Sequence, residues 1–164
     1  MSQREPDAPA SSAPRIAVLV TSWYAEVVAR LQTAALATLS AAGIEAAAVR
    51  VLEVPGAFEL PQAASWLARA DDVDGIVALG CIVRGETPHF DYVASACTEG
   101  LMRVALESGI PVGLGVITAD TLAQAEARSA PTATGKGGNK GIEAAEAVLA
   151  MVTTYRALED GRNP

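Results

Sequence analysis

Four short apolar runs, each separated from the next by a stretch of helical periodicity, constrain this chain more than any other feature. The first, Arg15-Ile16-Ala17-Val18-Leu19-Val20-Thr21, has the length of one strand and no alternation of apolar and polar residues. Such a strand must be covered on both faces, as in a parallel sheet held between helices. Val28, Leu31, Ala35, Leu39 and Ala42 then recur at spacings of three and four, and Gly43 stops the pattern where helix C-termini commonly place glycine. A second strand is expected over about 44–52 and a short helix over about 61–70. Strands over about 74–83 and 111–117 follow, with helices over about 91–108, 120–130 and 140–157. This succession predicts an α/β fold, a three-layer α/β/α sandwich around a four-stranded parallel sheet with right-handed crossovers. The absence of an internal repeat of 20–50 residues excludes a solenoid.

The 164 residues suffice for one domain, expected over 15–157, that needs no metal or disulfide to stay folded. Residues 1–14 are polar and rich in Pro, Ala and Ser, without the apolar middle of a secretion signal, and read as a disordered tail. Residues 158–164 read as a C-terminal tail. A formal net charge of −7 argues against broad binding to nucleic acid or an anionic membrane, either of which needs a basic face. No apolar run approaches the ~18–20 residues that span a bilayer. Cys81 and Cys97 lie in apolar surroundings without CxxC spacing, so they read as buried, reduced thiols of a cytoplasmic protein. The third and last helices are apolar around more of their circumference than one sheet face covers. Subunit packing explains that excess, and so does burial in a three-layer core.

Ligands of open parallel sheets bind beyond the carboxyl ends of the strands. Those ends carry Trp23 and Tyr24, then Val54-Pro55-Gly56-Ala57-Phe58-Glu59-Leu60-Pro61, then the segment from Val83 to Tyr92, then Asp120 and Thr121. In a chain with only 4% aromatic residues, this gathers most of the rings and the single histidine at one edge. Gly85, Glu86 and Thr87 open a loop ahead of a helix, where backbone N–H groups can cradle an anion. Arg128, Lys136 and Lys140 offer positive charge, although Arg128 reads equally well as a solvated residue of the fourth helix. No GxGxxG follows the first strand and no P-loop occurs, which counts against dinucleotides and nucleoside triphosphates. His89 lacks a second histidine for a metal, and no GxSxG elbow supports a serine nucleophile. General acid–base chemistry remains for His89, with a structural histidine as the other reading. Trp23 and Phe58 are each either a stacking face for a heterocycle or a core aromatic.

The segments Val54 to Pro61, Gly80-Cys81-Ile82-Val83-Arg84-Gly85-Glu86-Thr87-Pro88-His89-Phe90-Asp91-Tyr92-Val93 and Gly138-Asn139-Lys140-Gly141 resemble the 6,7-dimethyl-8-ribityllumazine synthase family, in the family's order from about Arg15 to Val152. The resemblance implies a flavodoxin-like fold and pentamers, some of which assemble into icosahedral 60-mers. It also implies a cofactor-free, metal-free condensation of 5-amino-6-(D-ribitylamino)uracil with 3,4-dihydroxy-2-butanone 4-phosphate. By position, Trp23 would stack on the pyrimidine, while Ala57, Phe58, Glu59, Cys81, Ile82 and Val83 would hold the ring and ribityl chain. Glu86 and Thr87 amides with Arg128 would grip the phosphate, and His89 would relay protons.

Three departures from the family pattern stand out. Trp23-Tyr24 replaces a common Phe-Asn, so an amide is lost. Leu114 replaces a phenylalanine that in many members reaches the neighbouring subunit's site, leaving that wall apolar but not aromatic. The segment from Ser129 to Gly138 is about four residues longer than in capsid-building members, which is expected to disturb shell packing and favours a pentamer or decamer. A rival reading is a flavin- or lumazine-binding paralogue without catalysis, favoured by Tyr24 and Leu114.

Overall fold

β1 (Ile16–Thr21) is buried along its whole length, as a run without alternation requires. The structure, a computed structural model, describes residues 13–131 and 138–161. β1 pairs in parallel with β2 (Val49–Val54) on one side and β3 (Gly75–Val83) on the other, and β3 pairs in parallel with β4 (Val112–Ala119). The order β2-β1-β3-β4 places the reversal of chain direction between β1 and β3. Ile16, Val18 and Val20 point to one face, where they meet α1 (Ala25–Ala41), α4 (Leu122–Ser129) and α5 (Lys140–Asp160). Ala17 and Leu19 point to the other, under α2 (Leu60–Ala70) and α3 (His89–Ser108). These are the expected three layers.

Local chemistry explains where the boundaries differ from expectation. The second strand starts at Val49 rather than near residue 44, because Ile44 belongs to the end of α1. Its N–H donates to the Leu39 carbonyl and the Gly43 N–H to that of Ser40, while Gly43 takes a φ of 84°. This hydrogen-bond pair closes a helix through a left-handed glycine, and the buried Ile44 packs back on the core. Ala46–Ala48, poor in strand propensity, make a 3-10 turn instead. α3 begins at His89, not near Asp91, since Pro88 at φ −62° is already shaped for the first turn. His89 therefore sits on a helix and not in the loop before it. α5 continues to Asp160, three residues beyond the expected end.

α5 approaches its neighbours through glycine. A Cβ on Gly141 would stand 2.1 Å from the Leu31 carbonyl oxygen, and one on Gly113 would stand 2.3 Å from that of Ala144. Asn139, 2% exposed, caps α5 by accepting from the Gly141 N–H and donates its amide to the Ser129 carbonyl. The opposite flanks of α3 and α5 are not covered by the three layers. Met102, Leu106, Met151, Tyr155 and Leu158 stay exposed around a groove of about 350 Å³ that also includes Leu114 of the edge strand β4. The expected tail over 1–14 lies almost wholly outside the described residues, as does most of the lengthened 129–138 segment. Among the described residues no helix is long and apolar enough to cross a membrane.

Candidate functional site

A cavity of about 610 Å³ lies beyond the carboxyl ends of β1, β2 and β3, where the chain reverses direction across the sheet. β1 delivers Trp23 and Tyr24 to it, the turn after β2 delivers Gly56, Ala57, Phe58 and Glu59, and β3 delivers Cys81, Ile82 and Val83. Gly85 and Thr87 come from the next loop, and His89, Phe90, Tyr92 and Val93 from the first turns of α3. Ten of the candidate residues therefore fall at or beside one cavity. Trp23, Ala57, Phe58, Glu59, Cys81, Ile82, Val83, Thr87 and His89 line it directly, and Glu86 lies between two lining residues without contributing its side chain.

The rim is aromatic and open. Trp23, Phe58 and Tyr92 are 69%, 62% and 74% exposed, which is costly for large rings unless a ligand or partner covers them. Trp23 lies over Gly56. A Cβ there would come within 3.5 Å of its Cδ1 and 3.2 Å of Glu59 Oε2, so the absent side chain makes room for both groups. Gly56 itself is extended and needs no special backbone. Tyr24 does, since at φ 55° and ψ 51° it occupies the left-handed region, where an ordinary residue loses about 1–2 kcal/mol. Strain of this kind persists where the surroundings impose it, and here it lies on the cavity wall.

The first N–H groups of a helix lack intrahelical partners and carry its positive pole. Those of α3 follow directly on Gly85, Glu86 and Thr87, an arrangement of loop and helix start of the kind that suits a negative group beside His89. Burial pushes the Cys81 thiol up to about 11, which keeps it neutral and makes it an apolar wall rather than a nucleophile. Cys97, also a free buried thiol, is raised to about 11 for the same reason.

Two candidates are not brought to this cavity. Leu114 belongs to the groove between α3 and α5, and Arg128 is exposed on the last turn of α4. Lys140 pairs with Glu143 at the start of α5, and Lys136 lies outside the described residues. None of the described residues lining the cavity is lysine or arginine. Among the described residues no group of three or more His, Cys, Asp or Glu is placed to hold a metal ion.

The sequence places Tyr92 at this edge without a role and gives no sign of Val93 in the wall, although the two follow His89 by three and four positions and so share its helix face. It also gave no role to Arg84. That guanidinium donates from both terminal nitrogens to Asp91 (3.2 and 3.1 Å) and from Nε to Asp120 (2.9 Å), and lies 4.2 Å from the Phe90 ring centroid.

Residues 13–156 match the family model described as 6,7-dimethyl-8-ribityllumazine synthase. The chain is similar to proteins named 6,7-dimethyl-8-ribityllumazine synthase from three bacteria. That of Kineococcus radiotolerans is 47% identical over 144 residues, covering 88% of this chain and 84% of the relative. That of Nitratidesulfovibrio vulgaris is 42% identical over 144 residues, covering 88% and 90%. That of Porphyromonas gingivalis is 41% identical over 142 residues, covering 87% and 86%.

Proposed function

The chain belongs to the 6,7-dimethyl-8-ribityllumazine synthase family, transferases of riboflavin biosynthesis, and from that premise we propose that it condenses 5-amino-6-(D-ribitylamino)uracil with 3,4-dihydroxy-2-butanone 4-phosphate, releasing phosphate and water. The observation that carries this reading is a cavity in which aromatic faces, a histidine and the start of a helix adjoin. Trp23 stacks on the pyrimidine. Phe58 and Glu59, with Ala57 and the end of β3 from Cys81 to Val83, hold the ring and ribityl chain.

The amides of Glu86 and Thr87 receive the phosphate at the start of α3, where the helix pole favours negative charge. Imine formation, phosphate elimination and ring closure each move protons. An imidazole can take and return them, and His89 stands beside the loop that holds the leaving phosphate. Fixing both substrates in one cavity turns their encounter into an intramolecular step.

Arg128 and Leu114 enter this reading from a second subunit, because neither reaches the cavity of its own chain. The uncovered flanks of α3 and α5 supply an apolar surface for such packing, and the reading is a homopentamer, or a decamer of two, rather than a shell. The rival, a lumazine- or flavin-binding protein without catalysis, draws on the open aromatic rim and on Tyr24 in place of an amide.

Mixing the purified protein with both substrates is expected to yield fluorescent lumazine well above the uncatalysed background. Tight lumazine binding with no product above background would overturn the synthase reading in favour of the rival.

A further inference from the structure

Arg84 stands at the end of β3, and its position suggests a task beyond fold stability. Its N–H continues the β3–β4 ladder by donating to the Ala119 carbonyl at 2.9 Å. From that anchored backbone the side chain reaches over the loop 85–88 to grip Asp91 with two parallel hydrogen bonds, a geometry that only a planar guanidinium provides. Its Nε holds Asp120 beyond β4, and its plane lies over Phe90, a cavity residue. Both ends of the four-residue loop are thereby tied to one group. The loop is otherwise open, since a Cβ on Gly85 would meet no atom within 4 Å and Glu86 and Thr87 are exposed.

The carboxylates of Asp91 and Asp120 and the guanidinium between them are all substantially exposed. Exposed ion pairs add little to stability, so the clamp is poorly explained as a fold stabiliser. Its geometric effect is larger. Loop 85–88 carries the Glu86 and Thr87 amides that the synthase reading assigns to the phosphate, and α3 begins with His89 directly after it.

We propose that Arg84 is a positioning residue, which fixes the loop 85–88 and the direction in which α3 presents His89 by clamping Asp91 and Asp120 around them. It acts through that loop and touches no substrate, its carboxylate-facing donors being engaged by Asp91 and Asp120. The inference rests on the synthase reading for its consequence in catalysis, but the clamp itself can be measured without activity.

The test compares Arg84→Met, Arg84→Lys and Asp120→Asn with the unaltered protein. Four readouts are followed: kcat, KM for each substrate, amide hydrogen exchange over 84–91, and the affinity for inorganic phosphate. Since a displacement near 1 Å costs about 10²-fold in rate, Arg84→Met is expected to lower kcat about 10–100-fold and raise KM for the phosphate substrate several-fold. KM for the pyrimidine should change less than about twofold, exchange should rise only over 84–91, and inorganic phosphate should bind more weakly. Arg84→Lys should recover only part of kcat, because an ammonium cannot make the paired contact with Asp91. Asp120→Asn, which loosens one arm, should fall between.

Unchanged exchange and unchanged kcat in Arg84→Met would overturn the proposal. So would a loss spread evenly over every parameter and matched by a fall in Tm, which marks an ordinary stabilising residue. If the unaltered protein makes no product while Arg84→Met still loosens the loop and weakens phosphate binding, the clamp stands and the synthase reading falls.

Discussion

The two ends of the sheet are finished in opposite ways. At the amino end polar groups satisfy one another: Arg15 donates its backbone N–H and its guanidinium to Asp74, and Arg50 makes a paired contact with Asp72. At the carboxyl end, beside the pairing of Arg84 with Asp91 and Asp120, rings stand open, Tyr24 is held in a left-handed conformation, and the first turn of α3 lines a cavity. The contrast separates what holds the sheet from what it is for. A residue paired at the amino end should be felt in stability and not in turnover, and a side chain left free for a ligand at the carboxyl end the reverse.

The sharpest test of that division is His89→Ala. The side chain is exposed on the first turn of α3, so Tm should stay within about 1–2 °C, while turnover falls about 10–10³-fold, toward the lower part of what a general acid–base group contributes. Steady-state kinetics with thermal unfolding on the same sample decides it. An equal loss in substrate affinity would make His89 a structural residue and break the comparison at its most important point.

The converse is Asp74→Asn at the closed end. Burial by itself would raise the Asp74 carboxyl, but the hydrogen bonds and charge of Arg15 outweigh it and hold the group below the usual carboxylate range. A carboxyl lowered by folding stabilises fully above its unfolded value, ~3.9, and loses that contribution as pH falls through the folded value. The pair is partly exposed, so the substitution should cost about 1 kcal/mol at pH 7, or roughly 2–4 °C in Tm for a chain this size. Scans from pH 7 downward should show the gap between the two proteins closing below about pH 4, with kcat unaffected throughout. A gap independent of pH would assign the effect to packing and not to charge.

How far each end was legible in the sequence follows the same division. β1 and β3 could be read because a strand buried on both faces leaves an unbroken apolar run. The carboxyl-end cavity followed from strand polarity and the scarcity of aromatics, and Trp23, Phe58 and His89 were found that way. Arg84 was not, because its partner Asp120 lies 36 positions away and a charge pair carries no periodicity. Pro88 and His89 read as loop, since a proline signals both a break and a helix start, and only the backbone decides which. Leu114 enters the site through family resemblance and Arg128 through its charge as well, while strand order and the short α4 hold both away from the cavity of their own chain.

Tyr24 gives the smallest expected effect and the finest test, since the left-handed turn at the carboxyl end could be either a property of the backbone path or a product of this side chain. β1 ends at Thr21 and α1 starts at Ala25, which leaves three residues to turn the chain off the sheet, and the Val28 N–H already donates to the Tyr24 carbonyl. That geometry demands φ > 0 of whichever residue stands there, and asparagine tolerates it better than tyrosine because its short polar side chain can bond locally. Tyr24→Asn should therefore relieve part of a ~1–2 kcal/mol penalty. Some of the ring's packing is lost at the same time, so a net gain of about 0.5 kcal/mol, or roughly 1–2 °C in Tm, is expected. The Ala25–Ala41 helix should keep its start, and kcat should change less than about threefold. If stability falls instead, the ring's contacts exceed the strain, and Tyr24 belongs with the groups that hold the sheet and not with those that the open end leaves free for a ligand.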